Sequence, residues 1–249
     1  MNVYFLGVGE AFDETLPNNS LLVQRNGYKL MLDCGFSIPD ELWKYNNDTD
    51  LIDAIFVSHT HADHYFGIPA LFTRWLEEER EKPVSIITTE ENIDLLQQLL
   101  DFAYRDTRNY YKFDINFISV NKSQQIQVGG IDLEFAETDH TVSNLAVKVS
   151  DGENTLVYSG DGIPTRESEE LYRSCDLLVH DAYYWDKKSW GHPLIKDLIP
   201  MANRLNVKAL ALTHLERDYR KNEIEKLQEE IRKEDINVFV PKPGDTFEF

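Results

Sequence analysis

The run SHTHADH at residues 58–64 places three of the chain's seven histidines and one aspartate in seven positions, directly after the apolar run AIFV. An isolated histidine is usually a satisfied core or surface residue. Histidines at i, i+2 and i+5, with Asp63 beside the last, make a set of metal ligands. Their ordinary pKa lies near neutrality, so at pH 7 they can bind a cation without first losing a proton. His59 and His61 share a side of any extended segment, and His64 can turn toward a second ion.

The other ligand candidates sit where strands should end: His140 closes LEFAETDH, Asp161 lies in LVYSGDG and His214 in ALALTHL. Strand ends at one edge of a sheet converge in space even when they are far apart in sequence. With the first cluster they provide five imidazoles and two carboxylates. That is enough for two divalent ions sharing one carboxylate and a bridging hydroxide.

These positions need a scaffold of strands and helices, and the pattern supplies one. VYFLGVG reads as a strand, SLLVQRNGYKLMLDCG as a hairpin about Asn26-Gly27, and AIFVSH as a short buried strand. Ile68, Leu71, Phe72, Trp75 and Leu76 recur at helical spacing, closed by EEEREK before Pro83. SIITT is a strand and NIDLLQQLLDFAYRD a helix. INFISV, QIQVGGIDLEFAETDH and NLAVKVSDGENTLVYSGDG read as a meander joined by Gly, Asn and Asp turns. In the second half LLVHDAYY and KALALTHL are strands around a helix through LIKDLIPMANRLN. A polar helix, NEIEKLQEEIRKE, precedes a last strand through VFVPKPGDTFEF. With no linker, repeat or low-complexity tract, the expectation is one α/β domain over residues 1–249, with helices packed outside two facing sheets.

Composition narrows the function. Hydrophobic residues make up 42% of the chain and aromatics 12%, which fits a globular protein. Forty-four acidic against 25 basic residues give a net charge of −19. Such a surface repels polyanions, so a large nucleic-acid partner is not expected. The N-terminus has no basic segment followed by an apolar one, no apolar run is long enough for a membrane span, and two cysteines give no disulfide framework. A cytoplasmic protein with no membrane partner is expected.

At this point the chain resembles the metallo-β-lactamase superfamily over nearly its full length. The HxHxDH signature stands as His59-Thr60-His61-Ala62-Asp63-His64, and the later ligands follow in the family's order in TDHTVSN, YSGD and LTHL. The resemblance implies a four-layer αββα sandwich. It also implies that His59, His61 and His140 hold one metal, Asp63, His64 and His214 the other, and that Asp161 bridges them. Zinc is the default for so nitrogen-rich a site, with manganese or iron as substitutes. Retention of His61 separates the chain from the oxygen-reducing diiron branch and points to hydrolysis. Two cations would lower the pKa of the bridging water and neutralise charge growing on an anionic substrate, while Asp63 orients the hydroxide.

LLVHDAYYWDKKSWGHP adds Asp181 at a strand end and His192 in a Gly-His pair. This is similar to the ribonuclease Z and small-phosphodiesterase branch, where a carboxylate–histidine pair assists the leaving group; the family usually has Glu where this chain has Asp181. In the ribonuclease Z branch most like this chain, a long tRNA-clamping arm separates the third histidine ligand from the bridging aspartate. Here His140 and Asp161 are only 21 positions apart. The expectation is therefore a hydrolase for small phosphodiesters or cyclic nucleotides. Alternatives are an ester, lactone or sulfate-ester hydrolase on the same metals, or a non-catalytic carrier of the same fold, which usually goes with degraded ligands. His180 should be structural, its side chain pointing away from that of Asp181. Arg74, Arg105, Arg108 and Lys112 could reach a substrate phosphate but fit exposed helix surface better. Tyr104, Tyr110, Tyr111 and Phe113 suit a pocket wall or a homodimer contact; Tyr183, Tyr184, Trp185 and Trp190 are the better candidates for lining the pocket.

Overall fold

A computed structural model describes all residues, 1–249. The first sheet has the order β14-β1-β2-β3-β4-β5-β6 and is built from β1 (Asn2–Gly7), β2 (Ser20–Arg25), β3 (Tyr28–Leu32), β4 (Ala54–Phe56), β5 (Val84–Thr88), β6 (Ile115–Ser119) and β14 (Thr246–Glu248). The second has the order β13-β12-β11-β10-β9-β8-β7, from β7 (Gln125–Val128), β8 (Ile131–Thr138), β9 (Asn144–Ser150), β10 (Thr155–Tyr158), β11 (Leu177–Asp181), β12 (Ala209–Thr213) and β13 (Asn237–Phe239). Each sheet is antiparallel on one side and parallel on the other: β3 to β6 run parallel in the first, β10 to β13 in the second.

Between the sheets lies a core of 23 buried residues, with Phe56 of one sheet stacked on Phe135 of the other at 5.7 Å. The outer face of the first sheet is covered by α1 (Ile38–Tyr45), α3 (Ile68–Glu77) and α4 (Glu90–Ala103) over 20 buried apolar residues. The outer face of the second is covered by α5 (Arg166–Tyr172), α6 (Ile195–Arg204) and α7 (Arg217–Ile231) over 21. The result is the four-layer αββα sandwich. A short α2 (Ala62–Tyr65) belongs to the histidine loop. No helix is long and apolar enough to cross a membrane.

Three local readings are corrected. The final segment is two strands, because Pro241 and Pro243 cannot donate to a ladder and Gly244 turns at φ +94°; β13 completes the second sheet and β14 pairs with β1 across the sandwich. INFISV is no part of the meander; β6 lies parallel to β5 at the edge of the first sheet, a pairing that no local pattern encodes. Helices α1 and α5 also went unread, although Pro39 opens the first and a Thr165/Ser168 capping box opens the second. Between His140 and Asp161 the chain is spent on the β9–β10 hairpin. Its tip residue Asp151 is tied to the Met1 amino group at 3.2 Å and to Arg25 at 2.9 Å.

Arg80 staples the loop before β5 to the first sheet. It is 2% exposed, lies over the Trp75 ring at 4.1 Å, and donates to the carbonyls of Thr49, Ile52, Lys82 and Pro83. Arg80→Ala removes the cation–π contact and leaves several buried carbonyls without a donor. The expected loss is about 3 kcal/mol or more, a fall in Tm of roughly 6–12 °C for a domain of this size. A thermal midpoint within about 2 °C of the parent would refute this role.

Candidate metal centre

The parallel halves of the two sheets end at one edge, and the chemistry collects there. Asp33 follows β3, the histidine loop follows β4, His140 follows β8, Asp161 follows β10, Asp181 ends β11 and His214 follows β12. Asp33 and His214 both have positive φ, at 60° and 59°, a conformation uncommon for residues with a Cβ and concentrated at functional sites.

The histidine loop is locked by its neighbours. Cys34 donates its N–H to the His64 carbonyl at 2.7 Å, and Gly67 donates to the Cys34 carbonyl at 2.9 Å. At Gly35 a Cβ would stand 1.9 Å from the Asp63 carbonyl oxygen, so only glycine allows this approach. Asp33 is buried and accepts four hydrogen bonds: from the Ser58 N–H and hydroxyl, from His64 Nδ1 and from the Tyr158 hydroxyl, each at 2.7 Å. Burial and the adjacent Asp33 push the Tyr158 phenol well above its ordinary pKa, so it remains a donor. Asp33 was not singled out from the sequence. Its signal was a lone carboxylate after three apolar residues in LMLDCG, where burial must be answered by donors.

Two four-residue groups meet at one carboxylate. His59, His61, His140 and Asp161 form the first, and Asp63, His64, His214 and Asp161 the second; within each group, one ligand atom per residue lies within 4.8 Å of the others. His61 Nδ1 faces His140 Nε2 at 3.1 Å. Two ring nitrogens bound to one tetrahedral zinc stand roughly 3.3 Å apart. In the second group His64 Nε2 is 3.2 Å from Asp63 Oδ2 and 3.4 Å from Asp161 Oδ1, while His214 Nε2 lies 3.4 and 3.5 Å from Asp63 and Asp161 Oδ2.

The donor set fits divalent ions. The outward ring nitrogens are engaged: His140 Nδ1 donates to the Gly191 carbonyl at 2.8 Å, His64 Nδ1 to Asp33, and His59 Nδ1 meets the Ser58 hydroxyl at 3.0 Å. That leaves the inward nitrogens as lone pairs, the usual arrangement of ligating imidazoles. Buried His59 Nε2, His64 Nε2 and Asp161 Oδ1 have no hydrogen-bond partner within the protein. Burial holds His59 neutral, well below its usual pKa. At His64 and His214 burial also opposes charge, but the surrounding carboxylates outweigh it and raise both. So concentrated a negative charge calls for cations.

Beside the second group, His192 donates from Nδ1 to Asp181 Oδ2 at 2.8 Å, so the aspartate arm reaches where the family usually has glutamate. Asp181 also accepts from the Gly162 N–H at 3.1 Å, and its Oδ1 lies 3.5 Å from His214 Nδ1. Burial disfavours the His192 imidazolium, yet Asp181 raises its pKa. The ring stacks on Tyr183 at 4.3 Å and 15° and lies beside His214 at 5.4 Å and 20°.

A cavity of about 350 Å³ opens over the cluster, bordered by His61, Asp63, Asp161, His192, His214 and Tyr183. Tyr184 and Trp185 border a separate groove against α7, and Trp190 is 88% exposed. Arg74 pairs with Glu78 over Trp43, Arg108 with Asp101 and Lys112 with Glu79, and Arg105 is exposed beside Asp106; none of the four borders this cavity. Tyr111 and Phe113 pack on Phe72, away from the site, whereas Tyr104 and Tyr110 are exposed. His180 is buried on the other face of β11 against Tyr172.

A family model described as Anti-Pycsar protein Apyc1 matches residues 1–235. Ribonuclease Z from Archaeoglobus fulgidus is 24% identical, covering 91% of each chain. Among solved structures, the metallo-β-lactamase fold protein YhfI from Bacillus subtilis superposes with a TM-score of 0.84 at 24% identity over 99% of both chains. A diphosphatase from the PhnP family superposes with a TM-score of 0.78 at 18% identity, over 100% of this chain and 97% of the other.

Proposed function

The chain belongs to the Anti-Pycsar protein Apyc1 family and is a ribonuclease Z-like, metal-dependent hydrolase of the metallo-β-lactamase fold; from that premise we propose that it hydrolyses small phosphodiesters, cyclic nucleotides among them. The observation that carries the proposal is the Asp181–His192 pair set against a double ligand cluster that shares Asp161. A phosphodiester with a poor alkoxide leaving group depends on such an acid.

In this reading His59, His61 and His140 would hold one ion, Asp63, His64 and His214 the other, and Asp161 would serve both. Divalent ions there would supply hydroxide near neutral pH and offset charge on the phosphoryl oxygens; zinc suits the nitrogen-rich donor set. Asp63 lies beside both His64 and His214 and orients the attacking water. His192, with Nδ1 committed to Asp181, presents Nε2 to the departing oxygen. Tyr183 holds the plane of that imidazole.

The first test is a panel containing bis-p-nitrophenyl phosphate, a nucleoside 3′,5′-cyclic phosphate, a p-nitrophenyl ester, a lactone and an aryl sulfate, each with zinc or manganese. Turnover confined to the ester or the lactone would overturn the assignment.

The compact β9–β10 hairpin and the charge of −19 make large RNA an unfavourable substrate. Binding to nucleic acid draws on Lys and Arg contacts whose strength falls steeply with salt. Hydrolysis of small diesters should therefore change little between low and moderate ionic strength, and a precursor tRNA should bind poorly throughout. Efficient, salt-sensitive removal of a tRNA 3′ trailer would show that RNA is the substrate.

A further inference from the structure

His180 is a buried histidine that the ligand cluster does not use. Its ring lies edge-on to Tyr172 at 5.4 Å and 89°, on the face of β11 opposite the Asp181 side chain. Its Nδ1 donates to the carbonyl oxygen of the next residue, Asp181, at 2.8 Å. Burial lowers the imidazole pKa, and a carbonyl can only accept, so the neutral ring carries its proton on Nδ1 and leaves Nε2 as a lone pair. That lone pair has no hydrogen-bond partner in the protein, and neither has the Tyr172 hydroxyl. A side chain that only fills space gains nothing from an unpaired ring nitrogen, and an apolar residue would avoid the desolvation. The bond to Asp181 is the one hydrogen bond that the His180 side chain makes.

That bond acts on the residue that holds His192. Asp181 is the last residue of β11, and side chains fix its main chain on both sides. Its N–H donates to Ser159 Oγ at 3.0 Å, and its carbonyl accepts from His180. Ser159 is itself anchored, donating to the Gly160 carbonyl at 2.7 Å. An aspartate has a single methylene between main chain and carboxylate, so a tilt of its peptide passes almost undiminished to Oδ2. A glutamate has one more torsion to absorb the same tilt. With the short arm, the 2.8 Å contact to His192 Nδ1 depends on how the Asp181 main chain is held.

We propose that His180 is a positioning residue for the acid pair: by donating to the Asp181 carbonyl it sets the direction from which Asp181 Oδ2 meets His192. The proposal rests on the reading of His192 as the group that protonates the departing oxygen.

His180→Leu removes the donor and keeps the core apolar, whereas His180→Asn restores a donor, because Asn Nδ2 is attached to Cγ as His Nδ1 is. With metal content unchanged, His180→Leu should lower kcat on a nucleoside cyclic phosphate roughly 10- to 100-fold, the scale of a misplaced catalytic group. The loss on bis-p-nitrophenyl phosphate should be much smaller, and His180→Asn should recover most of the rate. In a His192→Ala background His180→Leu should cost little more, since residues that act as a unit are not additive. A further readout needs no substrate. The His192 Nδ1 proton, identified by nuclear magnetic resonance as the imidazole signal missing from His192→Ala protein, should exchange with water faster in His180→Leu. Equal losses on the two substrates, a full additional loss in the His192→Ala background, or no change in either rate or exchange would each overturn the positioning role. Faster exchange in a protein that hydrolyses no phosphodiester would instead overturn the phosphodiesterase reading and leave the positioning role standing.

Discussion

Asp161→Ala protein should retain almost none of the roughly two divalent ions expected per chain of the parent and show no measurable turnover. Asp161 is the one residue common to both ligand groups. Its carboxylate oxygens lie 3.4 Å from His64, 3.5 Å from His214, 3.9 Å from His140 and 4.0 Å from His59. Without it each site loses its shared anionic ligand, and the imidazoles raised by that carboxylate lose a stabilising neighbour. The fold should persist, because the hydrogen bonds placing this loop run through the Asp161 main chain to Thr138 and Asn144. Asp33→Asn provides a graded comparison. Among the ligands it acts on His64 through Nδ1, while also weakening the Ser58 and Tyr158 hydrogen bonds, and such outer contacts are typically worth about 10–100-fold in metal affinity. Elemental analysis finding two ions in folded Asp161→Ala protein would rule out the shared carboxylate.

The ligand candidates were legible because they were local or sat at recognisable strand ends. His59 to His64 are six consecutive positions, and His140, Asp161 and His214 each follow an apolar run. Tyr183 was singled out as a pocket residue and borders the cavity, but its stacking role, like Asp33, was not legible. Asp33 matters through four donors brought together from three elements, and Tyr183 through the plane of a ring nine residues away. Neither role has a spacing to read. The same distinction divides the fold. Strands β2 and β3 announce their pairing through Asn26-Gly27, whereas the placement of β6 depends on β5, reached only after α4 and a loop. Pro241 and Pro243 interrupt what reads as a single last strand, and which sheet receives each side of them is a long-range choice.

His192→Ala should keep both metals and lose rate according to how badly the leaving group needs a proton. Its Nδ1 is committed to Asp181 at 2.8 Å and its ring stacks on Tyr183, so Nε2 is the atom free to donate. On a nucleoside cyclic phosphate the departing ribose alkoxide is strongly basic, and the expected loss in kcat is about 10²–10⁴-fold, the usual range for general acid catalysis. On bis-p-nitrophenyl phosphate the departing phenolate is stable as an anion, and the loss should be far smaller. Asp181→Asn should show the same dependence more weakly by reducing charge support for the imidazolium. Asp181→Ala should in addition loosen metal binding, because Asp181 also lies 3.5 Å from His214 Nδ1. Measuring kcat on both substrates, with metal content checked for each variant, separates these effects. Equal losses on good and poor leaving groups would make His192 a residue that positions substrate, and no loss on either would remove it from the mechanism.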